Sequence, residues 1–377
     1  MSFSRKIQEI SGSTIREVFE EAGEDSINLG LGEPDLDTPI EAKKEAKRSI
    51  DKNQTNYTSN KGLIGLRKSI CDYIEKFNIF VNPSNVIVTS GGSEALHIAT
   101  EALIGFDDEA MIPDPGFVSY DPLVKIAGGK SVPYSLNEEN GFSLNLESIK
   151  ERINNKTKVV FLNSPSNPTG AVLGPEEVKA VTELADDYGA YIISDEVYSE
   201  IIYGKNHVSP KEFYDKVIVV DSFSKTFSMT GWRVGYLLAD EGVIDQSLKV
   251  HQYIQACAPS ISQKAANKAL SDSMDYISYI RDKFMKRRDL VMKKLDDIKE
   301  IDYVEPSGAF YIFPNVSKLG GGKKVSRKLA ERDVITVPGS AFGREGRDYI
   351  RMSYANSKEK LKEGLDRFSK LCKDLEF

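Results

Sequence analysis

One lysine stands among residues that could support covalent chemistry. Ser222, Ser224 and Lys225 follow a short apolar, β-branched run, and Arg233 comes eight residues after the lysine. An arginine offers a fork of donors that matches phosphate oxygens, and a partly desolvated lysine can lose its proton and attack a carbonyl. Most lysines are solvated surface charges, so it is this setting that makes Lys225 a candidate nucleophile.

A second group of residues could bind an anion. Ser90, Gly91, Gly92 and Ser93 lie between a predicted strand and a helical stretch over 95–103. Free backbone N–H groups and the positive end of a helix would then face one point, which favours a phosphate. The same pattern is also typical of an ordinary strand-to-helix turn, so the interpretation depends on neighbouring residues.

Polar and aromatic side chains follow three other predicted strands. Asp195 could hold a pyridine nitrogen protonated and so turn the ring into an electron sink, or it could cap a helix. Tyr198 could donate a hydrogen bond to a phenolic oxygen on such a ring. Asn167 precedes Pro168 in a stiff turn that would hold one amide in place. Phe117 could stack on a planar ring or belong to the core.

The elements that must position these residues form a predicted α/β domain. Short apolar runs alternate with helix-like segments from about residue 85 to about residue 240, which is typical of a mostly parallel sheet with helices on both faces. The predicted strands are 85–89, 109–112, 158–162, 190–193, 216–220 and 234–238. Open α/β sheets bind ligands beyond the carboxyl ends of their strands, so we expect the candidate residues at one edge of this sheet.

The chain changes character after about residue 275. A charged helical pattern over 279–295 leads into three short apolar segments and a closing amphipathic helix, which indicates a smaller α+β domain joined by the N-terminal segment. A chain of 377 residues also exceeds the size at which single cores stop growing. We therefore predict a large domain over 41–278 and a small domain over 1–40 and 279–377.

Composition limits the classes of function. Hydrophobic residues at 40% and charged residues at 28% are ordinary for a globular protein, and no apolar run is long enough to span a membrane. The charged N-terminus is unlike a signal peptide, so we expect a soluble, cytoplasmic protein. A net charge of −7 with interspersed signs argues against nucleic-acid binding. The three cysteines and three histidines are dispersed, so neither a disulfide nor a metal site is predicted.

Seven ordered motifs resemble those of the class I aminotransferases. They are GEPDLDTP at 32–39, YTSNKGLIGLR at 57–67, NPTG at 167–170, SDEVY at 194–198, SFSKTFSMTGWR at 222–233, GAFYIFP at 308–314 and VPGSAF at 337–342. The resemblance covers nearly the whole chain and is strongest to the aspartate and aromatic aminotransferase branch. It implies the fold of the type I transferases that depend on pyridoxal phosphate.

The resemblance also implies a role for each matching residue. Lys225 would carry pyridoxal phosphate as a Schiff base and move protons in the reaction. Asp195 would pair with the ring nitrogen, Tyr198 and Asn167 would contact the ring oxygen, and Phe117 would stack on the ring.

The remaining matches imply contacts to the phosphate and to the substrate. The phosphate would be bound by Gly92, Ser93, Ser222, Ser224 and Arg233. Tyr57 matches a tyrosine that reaches the phosphate of the partner subunit, which implies a homodimer with a shared site. Arg351 would bind the substrate α-carboxylate, unless it is a surface cation, and Gly32 and Asn167 would border the substrate.

The implied reaction moves the amino group of an L-amino acid, aspartate or aromatic, to a 2-oxo acid such as 2-oxoglutarate, with ping-pong kinetics. Ser93 stands where some aspartate-using relatives carry a lysine, so the preferred donor stays open, and Tyr311 and Phe310 are candidates for the side-chain pocket.

Three alternatives remain beside transamination. A β-eliminating C–S lyase would share every cofactor residue. A non-catalytic regulator that senses pyridoxal phosphate would carry a fused DNA-binding domain, whereas the aminotransferase-like region starts within the first few dozen residues here. A nucleotide enzyme is disfavoured, because the segment 30–35 lacks the third glycine of a dinucleotide fingerprint and the segment 320–324 lacks the Ser or Thr of a P-loop.

Overall fold

The computed structural model describes residues 3–12, 23 and 25–375, and these residues form alternating strands and helices. In chain order the strands are β1 Ile27–Asn28, β2 Val86–Thr89, β3 Glu109–Asp114, β4 Lys130–Ser135, β5 Thr157–Asn163, β6 Tyr191–Asp195, β7 Val217–Ser222, β8 Gly235–Leu238, β9 Tyr311–Ile312, β10 Val334–Ile335, β11 Val337–Pro338 and β12 Ile350–Ser353. The α-helices are α1 Arg5–Gln8, α2 Ile40–Asp51, α3 Ile64–Ile74, α4 Gly92–Leu103, α5 Tyr120–Ala127, α6 Leu146–Lys150, α7 Pro175–Asp187, α8 Phe223–Thr226, α9 Glu241–Ile254, α10 Ser260–Asp272, α11 Asp275–Leu295, α12 Gly322–Ala330 and α13 Lys358–Leu375.

A seven-stranded sheet with the order β2-β8-β7-β6-β5-β3-β4 organises the larger part of the chain. All neighbouring strands run parallel except β8, which is antiparallel to both β2 and β7. The predicted mostly parallel α/β sheet is therefore confirmed. All six predicted strands occur, and β4 is an additional edge strand that the sequence pattern did not indicate.

Helices cover both faces of this sheet, because its strands carry apolar side chains on both sides. One core packs Ile87, Ile193 and Ile218 against α4, α5 and α9, and the other packs neighbouring strand residues such as Val88 and Ile192 against α2, α3, α7 and α10. Burying one such side chain fully contributes about 1.5–3 kcal/mol. Burial on both faces explains why the strands read as continuous apolar runs.

A separate core is built mostly from the C-terminal part of the chain. Strands β9, β12 and β11 form a small antiparallel sheet, and α11, α12 and α13 pack around it. Strand β1 pairs in parallel with β10, which places residues 27–28 beside this C-terminal region. The domain boundaries at residues 41 and 278 stay a prediction.

The strand ends bring candidate residues to one edge of the large sheet. Asp195 ends β6, Asn163 ends β5 and Ser222 ends β7, and the first two are paired in register. Helix α4 starts directly after β2, at a turn where Gly91 adopts a φ of +80° that favours glycine. None of the helices in the described part of the chain has both the length and the apolar composition that a membrane span requires.

Candidate active site

A cavity of about 230 Å³ lies at this edge of the sheet. The structure brings together along its wall the following residues that the sequence had singled out: Gly32, Gly92, Ser93, Phe117, Asn167, Asp195, Tyr198, Ser222, Ser224, Lys225, Arg233 and Arg351. Tyr57 does not line the cavity and is 88% exposed. Parts of the chain more than 300 positions apart thus contribute to one site.

Lys225 lies on the short helix α8, which follows β7 without a loop. The hydroxyl of Ser222 accepts the backbone N–H of Ser224 at 3.3 Å and so caps the first turn. The amine of Lys225 donates to the carbonyl oxygen of Gly32 at 2.6 Å. Burial lowers the pKa of Lys225 to about 8, against the opposing attraction of Glu33. A fraction of this amine is therefore unprotonated near neutral pH.

Asp195 is a buried carboxylate, 3% exposed, with one strong side-chain donor. The hydroxyl of Tyr120 donates to its Oδ2 at 2.8 Å, and the backbone N–H of Val197 donates weakly to Oδ1 at 3.4 Å. Burial raises the pKa of Asp195 to about 6, although the Tyr120 hydrogen bond opposes this. The carboxylate is still mostly ionised at pH 7, so it can pair with a cationic ligand atom.

The candidate anion site is a cradle formed by the start of α4, the serines around α8 and Arg233. The first N–H groups of a helix have no partner within the helix, so those of Gly92 and Ser93 are available to a ligand. A Cβ added to Gly91 would lie 2.7 Å from Nη2 of Arg233, so the guanidinium sits directly against the turn. Such a set of donors and one cation fits a phosphate group.

A buried pair supports this cradle from behind. Glu94 accepts the backbone N–H of Ser90 at 2.5 Å and is 2.8 Å from Nδ1 of His251. His251 is completely buried and Glu94 nearly so. In the tautomer that carries its proton on Nδ1, His251 donates to Glu94. The pair fixes the turn that precedes α4.

Arg351 on β12 is a buried cation, 2% exposed. Its Nη1 donates to Oδ1 of Asn167 at 2.8 Å and its Nη2 donates to the carbonyl of Gly30 at 2.6 Å. Its guanidinium lies 4.4 Å from the ring centre of Tyr311. Its Nε has no hydrogen-bond partner, and no carboxylate among the described residues forms an ion pair with it. A buried cation in this state needs an anionic ligand.

The hydroxyls of Tyr198 and Tyr311 are 2.9 Å apart, and both side chains are buried. Burial raises the pKa of Tyr198 well above its ordinary value, so its hydroxyl stays protonated. Phe117 packs edge-on against Tyr120, with ring centres 5.7 Å apart. The cavity therefore has hydroxyl donors on one wall and an aromatic ring on another.

Comparison with known proteins assigns the family. The sequence profile described as aminotransferase class I and II matches residues 24–368. The chain belongs to this family. It is 45% identical over 369 residues to a probable aspartate aminotransferase of Methanocaldococcus jannaschii, which covers 96% of this chain and 97% of that one. It is 37% identical over 386 residues to aromatic-amino-acid aminotransferase 2 of Thermococcus litoralis, with 99% of each chain covered.

A solved structure agrees with this assignment. The aspartate aminotransferase of Thermus thermophilus, determined with maleate, matches with a TM-score of 0.95 at 32% identity over 98% of this chain and 100% of that one. The resemblance inferred from seven motifs, the type I fold and the transaminase activity are therefore confirmed. Class I and II aminotransferases use pyridoxal phosphate.

Some residues of this aminotransferase site were missed by sequence reasoning. Tyr120 was not singled out, although its hydroxyl donates to Asp195 at 2.8 Å. Glu94 and His251 were not recognised as a pair, because 157 positions separate them. The local sequence signal for this pair was the carboxylate of Glu94 in the first turn of α4. Acidic residues are common at this position because they stabilise the positive end of any helix, so the signal did not indicate a partner.

Proposed function

We propose that this aminotransferase holds pyridoxal phosphate covalently on Lys225 and transfers the amino group of an L-amino acid, aspartate or aromatic, to a 2-oxo acid such as 2-oxoglutarate. The observation that carries the proposal is a pair of cations that face one cavity, with Lys225 partly buried and Arg351 buried. Burial lowers the pKa of Lys225, and Arg351 lacks a carboxylate partner among the described residues. A covalent anchor and an α-carboxylate clamp explain both.

The charges of the cavity fit an anionic cofactor and an anionic substrate. Three cationic side chains line it, from Lys225, Arg233 and Arg351, whereas Asp195 is the one carboxylate among the described lining residues. The phosphate fits the donors of α4 and Arg233, and the ring nitrogen fits Asp195. A group with a phosphate at one end and a basic ring nitrogen has complementary charges at both positions.

Pyridoxal phosphate supplies an electron sink and an aldehyde when it is bound. Lys225 would hold the aldehyde carbon, and its Nζ, when it is free of that bond, would be the base that accepts the proton from the substrate Cα. A pKa of about 8 suits this exchange near neutral pH, because both protonation states are populated. Asp195 would hold the ring nitrogen in its protonated form, and the hydrogen bond from Tyr120 orients Asp195 for this role.

Arg351 orients the substrate in this mechanism. Its stacking on Tyr311 and its bonds to Asn167 and Gly30 fix the plane of the guanidinium. A carboxylate that approaches this rigid fork is held in one orientation, which limits the positions of the substrate Cα. The same arginine serves the amino donor and the oxo acid, in agreement with ping-pong kinetics.

The side chain of the donor has no dedicated cation in this cavity. Arg233, Arg351 and Lys225 already have roles, and Ser93 offers a hydroxyl where a lysine would offer a charge. The second carboxylate of aspartate or of 2-oxoglutarate would then have to be recognised by groups outside the described lining residues. Aromatic donors need no such group, so both donor classes belong in the proposal.

A homodimer with shared sites is part of the proposal. Tyr57 and Tyr253 are each 88% exposed, and Ile254 and Ile64 are about half exposed. These apolar side chains belong to two adjoining segments, since the side-chain amide of Asn60 donates to the carbonyl of Ala256. An exposed apolar surface of this kind is typical of an interface. Light scattering should give twice the mass of 41.9 kDa.

The test compares the wild-type protein with Lys225→Ala, loaded with pyridoxal phosphate. We expect the variant to lose the visible absorbance of the covalently bound cofactor and nearly all turnover. Lys362→Ala, at an exposed position on α13, is the matched control. Retained turnover with an unchanged spectrum in Lys225→Ala would contradict the proposal.

A donor panel with 2-oxoglutarate as acceptor then tests the substrate class. Aspartate and the aromatic amino acids are compared under identical conditions, with the corresponding 2-oxo acids as the measured products. Release of pyruvate and ammonia without any oxo-acid acceptor would instead identify a C–S lyase.

A further inference from the structure

The hydroxyl of Tyr311 has one hydrogen-bond partner among the described residues, and that partner is Tyr198. The two oxygens are 2.9 Å apart, and both side chains are buried, at 1% and 3% exposure. Either hydroxyl can be the donor in this pair. A hydroxyl has a single proton to donate. If one tyrosine donates its hydrogen bond to a ligand, the other tyrosine must therefore be the donor in the bond between the two hydroxyls.

We propose that the Tyr311 hydroxyl is a positioning group which donates to Tyr198 and so directs the Tyr198 proton toward the ring oxygen of the cofactor. This inference rests on the proposed function, in which Tyr198 contacts that oxygen. If Tyr198 donates its only proton to the ring, its oxygen is left as an acceptor, and among the described residues Tyr311 is the side-chain donor that reaches it.

Two contacts of its ring and the space beside Gly32 determine the position of the Tyr311 hydroxyl. The ring of Tyr311 packs edge-on against Tyr198 and is covered by the guanidinium of Arg351 at 4.4 Å from the ring centre. A positive charge over a phenol ring makes its hydroxyl a better donor. On the remaining side, a Cβ built on Gly32 would collide with the Tyr311 hydroxyl, so glycine at this position leaves the space that the hydroxyl occupies.

The effect on the bound cofactor follows from the chain of donors. A hydrogen bond into Tyr198 strengthens the bond that Tyr198 donates onward, because consecutive hydrogen bonds polarise one another. Donors aimed at the ring oxygen stabilise its negative charge and favour loss of the proton from the linkage between Lys225 and the cofactor. Tyr311 therefore lowers the pH at which the visible absorbance of the loaded enzyme changes.

The experiment is a pH titration of visible absorbance on the enzyme loaded with pyridoxal phosphate. Tyr311→Phe removes one oxygen and keeps the ring under Arg351. We expect the midpoint of the absorbance titration to rise by about half a pH unit in this variant, because the ring oxygen loses part of the stabilisation that one hydrogen bond provides. Tyr203→Phe is the matched control, because Tyr203 is also buried and its hydroxyl bonds to the carbonyl of Ala309 instead. Its midpoint should stay at the wild-type value.

A double-mutant comparison decides whether Tyr311 acts through Tyr198. In the Tyr198→Phe background, Tyr311→Phe should cause no further change, because the connecting hydroxyl is gone. An unchanged midpoint in Tyr311→Phe alone overturns the proposal. The same rise in both backgrounds also overturns it, since Tyr311 would then act on the ring directly.

Failure of the proposed function gives a different result. In that case the wild-type protein lacks a titrating visible band, or keeps the band after Lys225→Ala, and the Tyr311 variants have no midpoint to compare. A wild-type band that depends on Lys225, together with no effect of Tyr311→Phe, would reject only the role of Tyr311.

Discussion

Replacing Lys225 with methionine should stabilise the cofactor-free enzyme at neutral pH, because the amine is an unfavourable group in its own cavity. Burial lowers the pKa of Lys225 from its ordinary value of 10.5 to about 8. At about 1.4 kcal/mol for each pH unit, this difference corresponds to about 3 kcal/mol. Because the side chain is partly exposed, solvent screening reduces the effect to about 2 kcal/mol.

Methionine also gives up one favourable contact. The hydrogen bond from the amine to the Gly32 carbonyl at 2.6 Å contributes about 1 kcal/mol. The expected net gain in the free energy of unfolding is therefore about 1 kcal/mol at pH 7. Methionine fills a similar volume without a polar atom to desolvate, so its packing should offset little of this gain.

The gain should disappear at alkaline pH. Between pH 8 and pH 10.5 the unfolded chain binds the Lys225 proton and the folded chain does not, so the wild-type protein gains stability as pH rises through this window. The unfavourable contribution of the amine is complete below pH 8 and absent above pH 10.5. At pH 9.5 less than half of this unfavourable contribution remains. The hydrogen bond that the methionine variant lacks is worth about as much, so the two proteins should be equally stable there.

Urea unfolding of both proteins, stripped of cofactor and held at one protein concentration, measures this difference at pH 7 and pH 9.5. Lys362→Met, at an exposed position, controls for the change of residue type. A Lys225→Met advantage that is equal at the two pH values, or that grows with pH, would refute the reasoning from burial.

Three further predictions concern groups around the cofactor. Arg351→Lys keeps the charge and loses the fork, so kcat/KM for every donor should fall at least about tenfold, mainly through KM, in steady-state kinetics. Tyr120→Phe removes the hydroxyl donor of Asp195, so the pKa of Asp195 should rise above about 6. As pH is lowered, the affinity for the cofactor, measured by equilibrium dialysis, should therefore begin to fall at a higher pH in the variant than in the wild type. His251→Ala leaves the Glu94 carboxylate buried without its side-chain partner and should cost about 3 kcal/mol in urea unfolding.

The sequence predicted features whose cause is local. Six strands of the large sheet were found because strands buried on both faces form continuous apolar runs. Strand β4 was missed, because it is an edge strand that contains Pro133 and exposes Lys130. Such a strand lacks the apolar run that identifies the others. Helix α11 begins at Asp275, four residues before the predicted start, since helix ends are poorly marked in a charged segment.

The missed features of the site depend on contacts between distant residues. The motif around Lys225 indicated the site because its residues are consecutive, whereas the bonds of Tyr120 to Asp195 and of Tyr311 to Tyr198 join positions 75 and 113 residues apart. A tyrosine hydroxyl has no sequence signature of its own, because the same residue is common in cores. These partners could be found only once the sheet had placed them.

The pKa shifts and unpaired atoms of the cavity share one physical cause. Burial lowers the pKa of Lys225, raises that of Asp195 and lowers that of Arg351, so all three groups are less stable in their charged forms than they would be in water. In an apolar core such groups would be a defect. Here each faces the same cavity, where a substrate carboxylate would pair with Arg351, a cationic ring nitrogen would pair with Asp195, and an aldehyde would bond to the amine of Lys225. If the proposed function holds, binding energy and not folding energy compensates these unfavourable charges.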